Sequence, residues 1–167
     1  MRYLTKPLGR FPVGIWIVLG LLLITGLIFT LFAQALSFFA WDAAYSLGLQ
    51  EDSRHSADVV ERAMAAMSWG EAGADVFVQG SLILLTLIGI WKRRPFGFVC
   101  GVTLATIWIY MTFVIPLQRI GLYRWGVAAD LSRAQYVTTL MIVLIGLPGV
   151  LSLICLTANR AFFRAGD

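Results

Sequence analysis

Apolar residues run through this chain in four long blocks, each interrupted by a short polar stretch. The first block, PVGIWIVLGLLLITGLIFTLFA, covers about 12–33, and the others cover about 74–91, 96–116 and 136–157. Within a block the apolar run is continuous. Alternation would mark the strands of a membrane barrel, whereas unbroken runs of about 18 residues or more cross a hydrocarbon core of about 30 Å as helices. The pattern therefore predicts an all-α integral membrane protein, with four transmembrane helices in one bundle and a single domain over 1–167.

The polar stretches add detail. Apolar character continues past the first block through Gln34–Phe39 to Trp41, so the first helix should project or tilt. Further on, Val60, Ala63, Met64 and Met67 recur at helical spacing opposite Asp58, Glu61 and Arg62. That arrangement predicts a short amphipathic helix in the outer loop 40–73, with Ser56 as its N-cap, acting as a lid or as a solvated connector. Pro148, inside "GLPG", should kink the fourth helix. Gly97, Gly101 and Ala105 form a small-residue stripe on the third helix, suited to packing within the bundle or to a homodimer seam.

Composition fits this picture. Of 167 residues, 59% are hydrophobic and 13% charged, about half the charged share of a soluble domain. The net charge of +4 is divided between the two ends of the spans and does not indicate nucleic-acid binding. Arg2, Lys6, Arg10, Lys92, Arg93, Arg94, Arg160 and Arg164 meet one acid, Asp167, at one end; five basic and eight acidic residues occupy the other. Basic residues collect on the cytoplasmic side, so both termini are expected there. The sequence "FAQA" at 32–35 resembles a signal-peptidase site, but about 20 apolar residues precede it, more than the 7–15 of a secretory signal. An uncleaved anchor is expected. Trp41, Trp69, Trp91 and Trp125 fall near the span ends as an aromatic belt does, whereas Trp16 and Trp108 fill packing space.

Candidate chemistry lies at one depth. Asp75 and Gln79 share a face of the second span, and Thr30 and Gln34 share a face of the first. Tyr110 lies in the same half of the third span, and Arg119 and Arg124 approach from the second outer loop, with Arg133 beyond them. Polar side chains facing lipid are costly, so Asp75 and Gln79 should turn inward and meet Gln34 or Thr30. Such a group can fasten helices together, with Asp75 also suited to the positive N-terminal end of its helix. It can also form an outward-opening pocket in which Asp75 is the ionisable group and the arginines receive an anionic headgroup. His55 stands alone in a loop, and Cys100 and Cys155 are unpaired, so no metal site or cofactor is expected.

The stretch ADVFVQGSLILLTLIGIWKRRPFGFVCG, Ala74–Gly101, resembles small uncharacterised four-span proteins of bacterial inner membranes. That resemblance covers the second and third spans and implies a fold without an activity. Four-span sterol-isomerase and sigma-2-receptor-like proteins also place acids within the membrane, as an analogy of architecture. Two functions remain open. One is a non-enzymatic accessory, assembly or lipid-associated subunit. The other is a membrane enzyme or binding protein for a lipid-soluble ligand, with Asp75 as acid or base.

Overall fold

The computed structural model describes residues 2–50, 54–126 and 131–164; of residues 131–134 it describes the backbone alone. Asp130, Asp167 and the side chain of Arg133 lie outside the described residues. The protein is helical almost throughout. Four helices are long and apolar enough to cross a membrane: α1, Val13–Phe39; α3, Val59–Lys92; α4, Pro95–Arg124; and α5, Gln135–Ala158. A short helix α2, Trp41–Ser46, follows α1.

Three of the long helices contain a widened, π-type stretch: Leu22–Phe32 in α1, Asp75–Gln79 in α3 and Ile142–Gly146 in α5. The last explains how α5 tolerates Pro148. Leu147 donates its N–H to the Ile142 carbonyl, five residues back, which widens the turn just before the proline. A proline ring otherwise collides with the carbonyl four residues earlier. The expected disturbance of this helix is thus a local widening.

Two helices exceed their expected bounds. The predicted amphipathic helix is not separate, because Val59–Lys92 is one helix of 34 residues with no proline in it. Its N-cap is Asp58, whose carboxylate accepts from the Val60 N–H at 2.8 Å, while Ser56 Oγ accepts from the Asp58 N–H. Asp58 takes the cap because it stands directly before the first helical residue. Helix α4 runs past Pro116 to Arg124, which places Arg119 and Arg124 on a helix and not in a loop. It stops at Gly126, where φ is +73°, a left-handed conformation natural to glycine after a helix end.

The chain packs as two compact units. The first comprises Met1–Thr25 and Leu82–Asp167. Its N-terminal arm, absent from the sequence expectation, is a tight antiparallel hairpin pairing Pro7 with Pro12 and Leu8 with Phe11. Gly9 turns it with φ +62°. The Asn159 amide donates to the Leu4 carbonyl at 3.3 Å and to the Cys155 carbonyl at 2.8 Å, tying this arm to the end of α5. Ile15, Val18, Ile83, Ile90, Leu104, Trp108 and Leu156 fill the interior of the unit. Cys155 is buried among them, and both cysteines are free thiols. Trp16 packs less than expected, being exposed on its face and donating from Nε1 to the Leu8 carbonyl at 2.9 Å.

The small-residue stripe is used inside this unit. A Cβ on Gly97 would lie 2.6 Å from Gly89 Cα, and one on Gly101 would lie 2.9 Å from Leu156 Cδ1. Ala105 is buried as well, its carbonyl 3.0 Å from where a Gly149 Cβ would stand. Within the unit, the chain's own helices pack against the stripe.

The second unit, Gly26–Ser81, holds the later turns of α1, helix α2 and the first half of α3. Here Phe38 stacks on Trp69 with ring centroids 4.7 Å apart, and Trp69 Nε1 donates to the Phe38 carbonyl at 3.0 Å. Gly73 admits the Phe38 ring, which a Cβ would meet at 2.6 Å. Trp41, expected at an interface, is instead buried.

Across both units the long helices expose Leu23, Ile24, Phe29, Leu84, Phe113 and Val143. Side chains of this kind on the outer faces of spanning-length helices suit hydrocarbon as solvent. The close approach at Gly89 gives a direct test of packing. Gly89→Ala, whose new Cβ would lie 2.2 Å from Gly97 Cα, should destabilise the protein by about 1–3 kcal/mol, read as a lower unfolding temperature in detergent. Gly20→Ala meets nothing within 4 Å and should be neutral or slightly stabilising by the same measurement.

Candidate functional site

The second unit contains an unusually polar interior for a chain this apolar. Gln79 is 4% exposed, Thr30 5% and Ser37 2%. Asp75 and Gln34 are half-buried. Thr30, Gln34 and Ser37 are carried by the later turns of α1 and Asp75 and Gln79 by the first half of α3, and these segments pack against each other within this unit through Phe38, Trp69 and Gly73.

Local sequence explains the arrangement. Ala72 and Gly73 are small and buried, so α3 can come close to α1 at this point. Gly80, the residue directly after Gln79, repeats the device, since a Cβ there would meet Leu31 Cδ1 at 2.9 Å. With glycine on both sides, the turn from Asp75 to Gln79 is held against its neighbour. That turn is wide, and the Gly80 N–H donates to the Asp75 carbonyl, five residues back. The Gln79 Nε2 donates to Asp75 Oδ1 at 2.5 Å. A buried amide donor is thereby satisfied by a half-buried carboxylate on its own helix. Glu71, one turn earlier, is exposed.

More polar contacts lie further along this unit. The Gln50 amide donates to Ser37 Oγ at 3.0 Å, and Ser37 Oγ donates to the Ala33 carbonyl at 2.9 Å. Arg54 pairs with Asp42, and its guanidinium stands 5.5 Å from the centre of the Trp41 ring. The Trp41 Nε1 is buried without a hydrogen-bond partner among the described residues. His55 is exposed.

Of the residues the sequence singled out, Asp75, Gln79, Gln34 and Thr30 belong to this unit. Tyr110, Arg119 and Arg124 are on α4 in the first unit, where Tyr110 is 62% exposed, Arg119 half-buried and Arg124 exposed. The sequence reading overlooked the Phe38–Trp69 pair and the glycines Gly73 and Gly80. The spacing of Trp69, Gly73, Phe77 and Gly80, one turn apart along a single helix, was the available signal.

No group of three His, Cys, Asp or Glu side chains among the described residues is arranged to hold a metal ion. The chemistry on view is a carboxylate and an amide held together in an apolar setting. Gln79→Leu should remove the partner of Asp75 Oδ1 and destabilise the protein by about 0.5–1.5 kcal/mol, the usual net value of one hydrogen bond, measured by thermal unfolding in detergent. Asp75→Asn, which keeps an acceptor oxygen for Gln79, should cost less than Asp75→Leu in the same assay.

No family model matches this chain, and neither a curated protein nor a solved structure matches it.

Proposed function

We propose that this protein is a non-enzymatic, four-span membrane subunit with an accessory, assembly or lipid-associated role, and that Asp75, Gln79, Thr30 and Gln34 form its polar fastening site. The observation behind this reading is the Gln79–Asp75 hydrogen bond on a helix whose other contacts are tight and aromatic. The bond lies within α3 and satisfies the buried amide there, which lets this face of the helix pack against the later turns of α1 without an unpaired polar group. Polar groups in a membrane interior are best satisfied by such internal pairing.

The proposal places the protein in a bacterial cytoplasmic membrane with both termini and the Lys92–Arg94 turn inside. The supporting feature is the distribution of charge: among the described residues all five acids, Asp42, Asp58, Glu61, Glu71 and Asp75, fall within Gly26–Ser81. Reporter fusions test this directly. One after Asp167, or one inserted in the Lys92–Arg94 turn, should report from the cytoplasm, and one near Ser53 from outside. An external signal from the carboxyl terminus would overturn the orientation.

A second reading, a membrane enzyme or a binding protein for a lipid-soluble ligand with Asp75 as acid or base, is favoured by one observation. The Asp75–Gln79 turn is a π-type widening, and such widenings recur at functional sites. Lipid extracts of protein purified from its own membrane separate the two readings. Under the fastening reading, wild type and Asp75→Asn carry the same small molecules. A lipid-soluble compound held by wild type and lost from a folded Asp75→Asn would instead establish ligand binding at Asp75.

A further inference from the structure

The first unit contains a second feature, which shares no residue with the Asp75 group. An apolar cleft of about 340 Å³ lies between the first half of α1 and the last turns of α3. Leu19, Leu87 and Ile88 line it together with the buried Phe11 and Ile90. Its volume falls in the usual range of about 300–1,000 Å³ for small-molecule sites. Trp91 and Lys92 complete its lining, both exposed.

Cations gather where Trp91 and Lys92 stand. The Arg10 guanidinium lies 4.0 Å from the centre of the Trp91 ring and donates from Nη2 to the Trp91 carbonyl at 3.1 Å. The Arg93 guanidinium donates to the Arg10 carbonyl at 3.1 Å, which fixes the hairpin against the α3–α4 turn. Arg93 itself has φ +54°, a left-handed conformation that lets this turn close tightly. An arginine has five N–H donors in a rigid fork, and the bond to Trp91 uses one of them. No Asp or Glu occurs among the described residues of this unit, so nothing described there neutralises these cations.

We propose that this cleft is a binding site for one anionic phospholipid, with an acyl chain along Leu19, Leu87 and Ile88 and its phosphate at Arg10 and Lys92. The apolar walls fit a hydrocarbon chain, the cations fit a phosphate, and the indole of Trp91 lies between them as aromatic side chains do at headgroup level. A free phosphate would leave the apolar walls unused, and a zwitterionic headgroup would gain less from the two cations than an anionic one. The inference rests on the membrane setting of the chain and is independent of the role given to Asp75.

The test is native mass spectrometry of the full chain in detergent, offered equal amounts of phosphatidylglycerol and phosphatidylcholine with identical acyl chains. One phosphatidylglycerol should be retained preferentially. Arg10→Gln with Lys92→Gln should reduce that preference about thirtyfold and Lys92→Gln alone about fivefold, from the usual strength of single cations at an anionic lipid surface. Lys92 is exposed and its ammonium makes no hydrogen bond to the hairpin among the described residues, so its variant carries the test if Arg10→Gln disturbs the arm. Ile88→Trp, which fills the cleft, should lower retention of both lipids. Equal retention of the two lipids by wild type, or a preference unchanged in both Lys92→Gln and the double variant, would overturn the proposal. Full displacement of phosphatidylglycerol by glycerol phosphate would also overturn it, by showing that the acyl chain contributes nothing. Asp75→Asn should leave the preference intact, so failure here and failure of the fastening site are read separately.

Discussion

Hydrocarbon offers no hydrogen bonds, and the backbone of this chain is organised around that fact. A polar backbone group left unpaired among lipid tails costs several kcal/mol, so the chain must satisfy its N–H and C=O groups within its own helices. The four long helices meet that requirement, and their irregularities obey it too. Where Pro148 lacks a donor, the preceding turn widens and Leu147 bonds five residues back. Threonines do the same with side chains: Thr86, Thr112 and Thr157 each donate to a carbonyl four residues earlier.

With backbone bonding met internally, helix association depends on close packing and a few polar contacts, because lipid tails are as apolar as the side chains facing them. Glycine supplies the closeness. Gly89 meets Gly97 in one unit, and Gly73 receives Phe38 in the other. In the second unit Gln79 bonds Asp75 one turn earlier on the same helix, so a buried amide is satisfied without leaving α3. Their value there comes from the setting, since the same pair on a solvated helix face contributes only a few tenths of a kcal/mol, about 0.2–0.5.

Charge is distributed as unevenly as polarity. The described acids all fall in Gly26–Ser81, while Arg10, Lys92 and Arg93 are held together by backbone and indole contacts in the other unit. A cation stacked on an aromatic ring keeps its charge and most of its donors. The apolar cleft lined by Trp91 and Lys92 lies beside this cluster.

The four spans were legible because transfer of a helix into hydrocarbon is decided by composition over about 20 residues, a local property of the sequence. The burial of Gln79 was expected on the same energetic ground, and its bond to Asp75 follows from a spacing of four on one helix. Other features depended on partners distant in sequence. That Pro116 does not end α4, that the helix of the first loop continues into the second span, and that Leu8 pairs with Phe11 across Gly9 are outcomes of competition among several locally acceptable structures. The same holds for the stripe of Gly97, Gly101 and Ala105. Its spacing promises a close helix contact but carries no record of which helix will fill it. Only the tertiary structure assigned it to the chain's own neighbours, because van der Waals packing depends on the shape of the partner surface as much as on the groove that receives it.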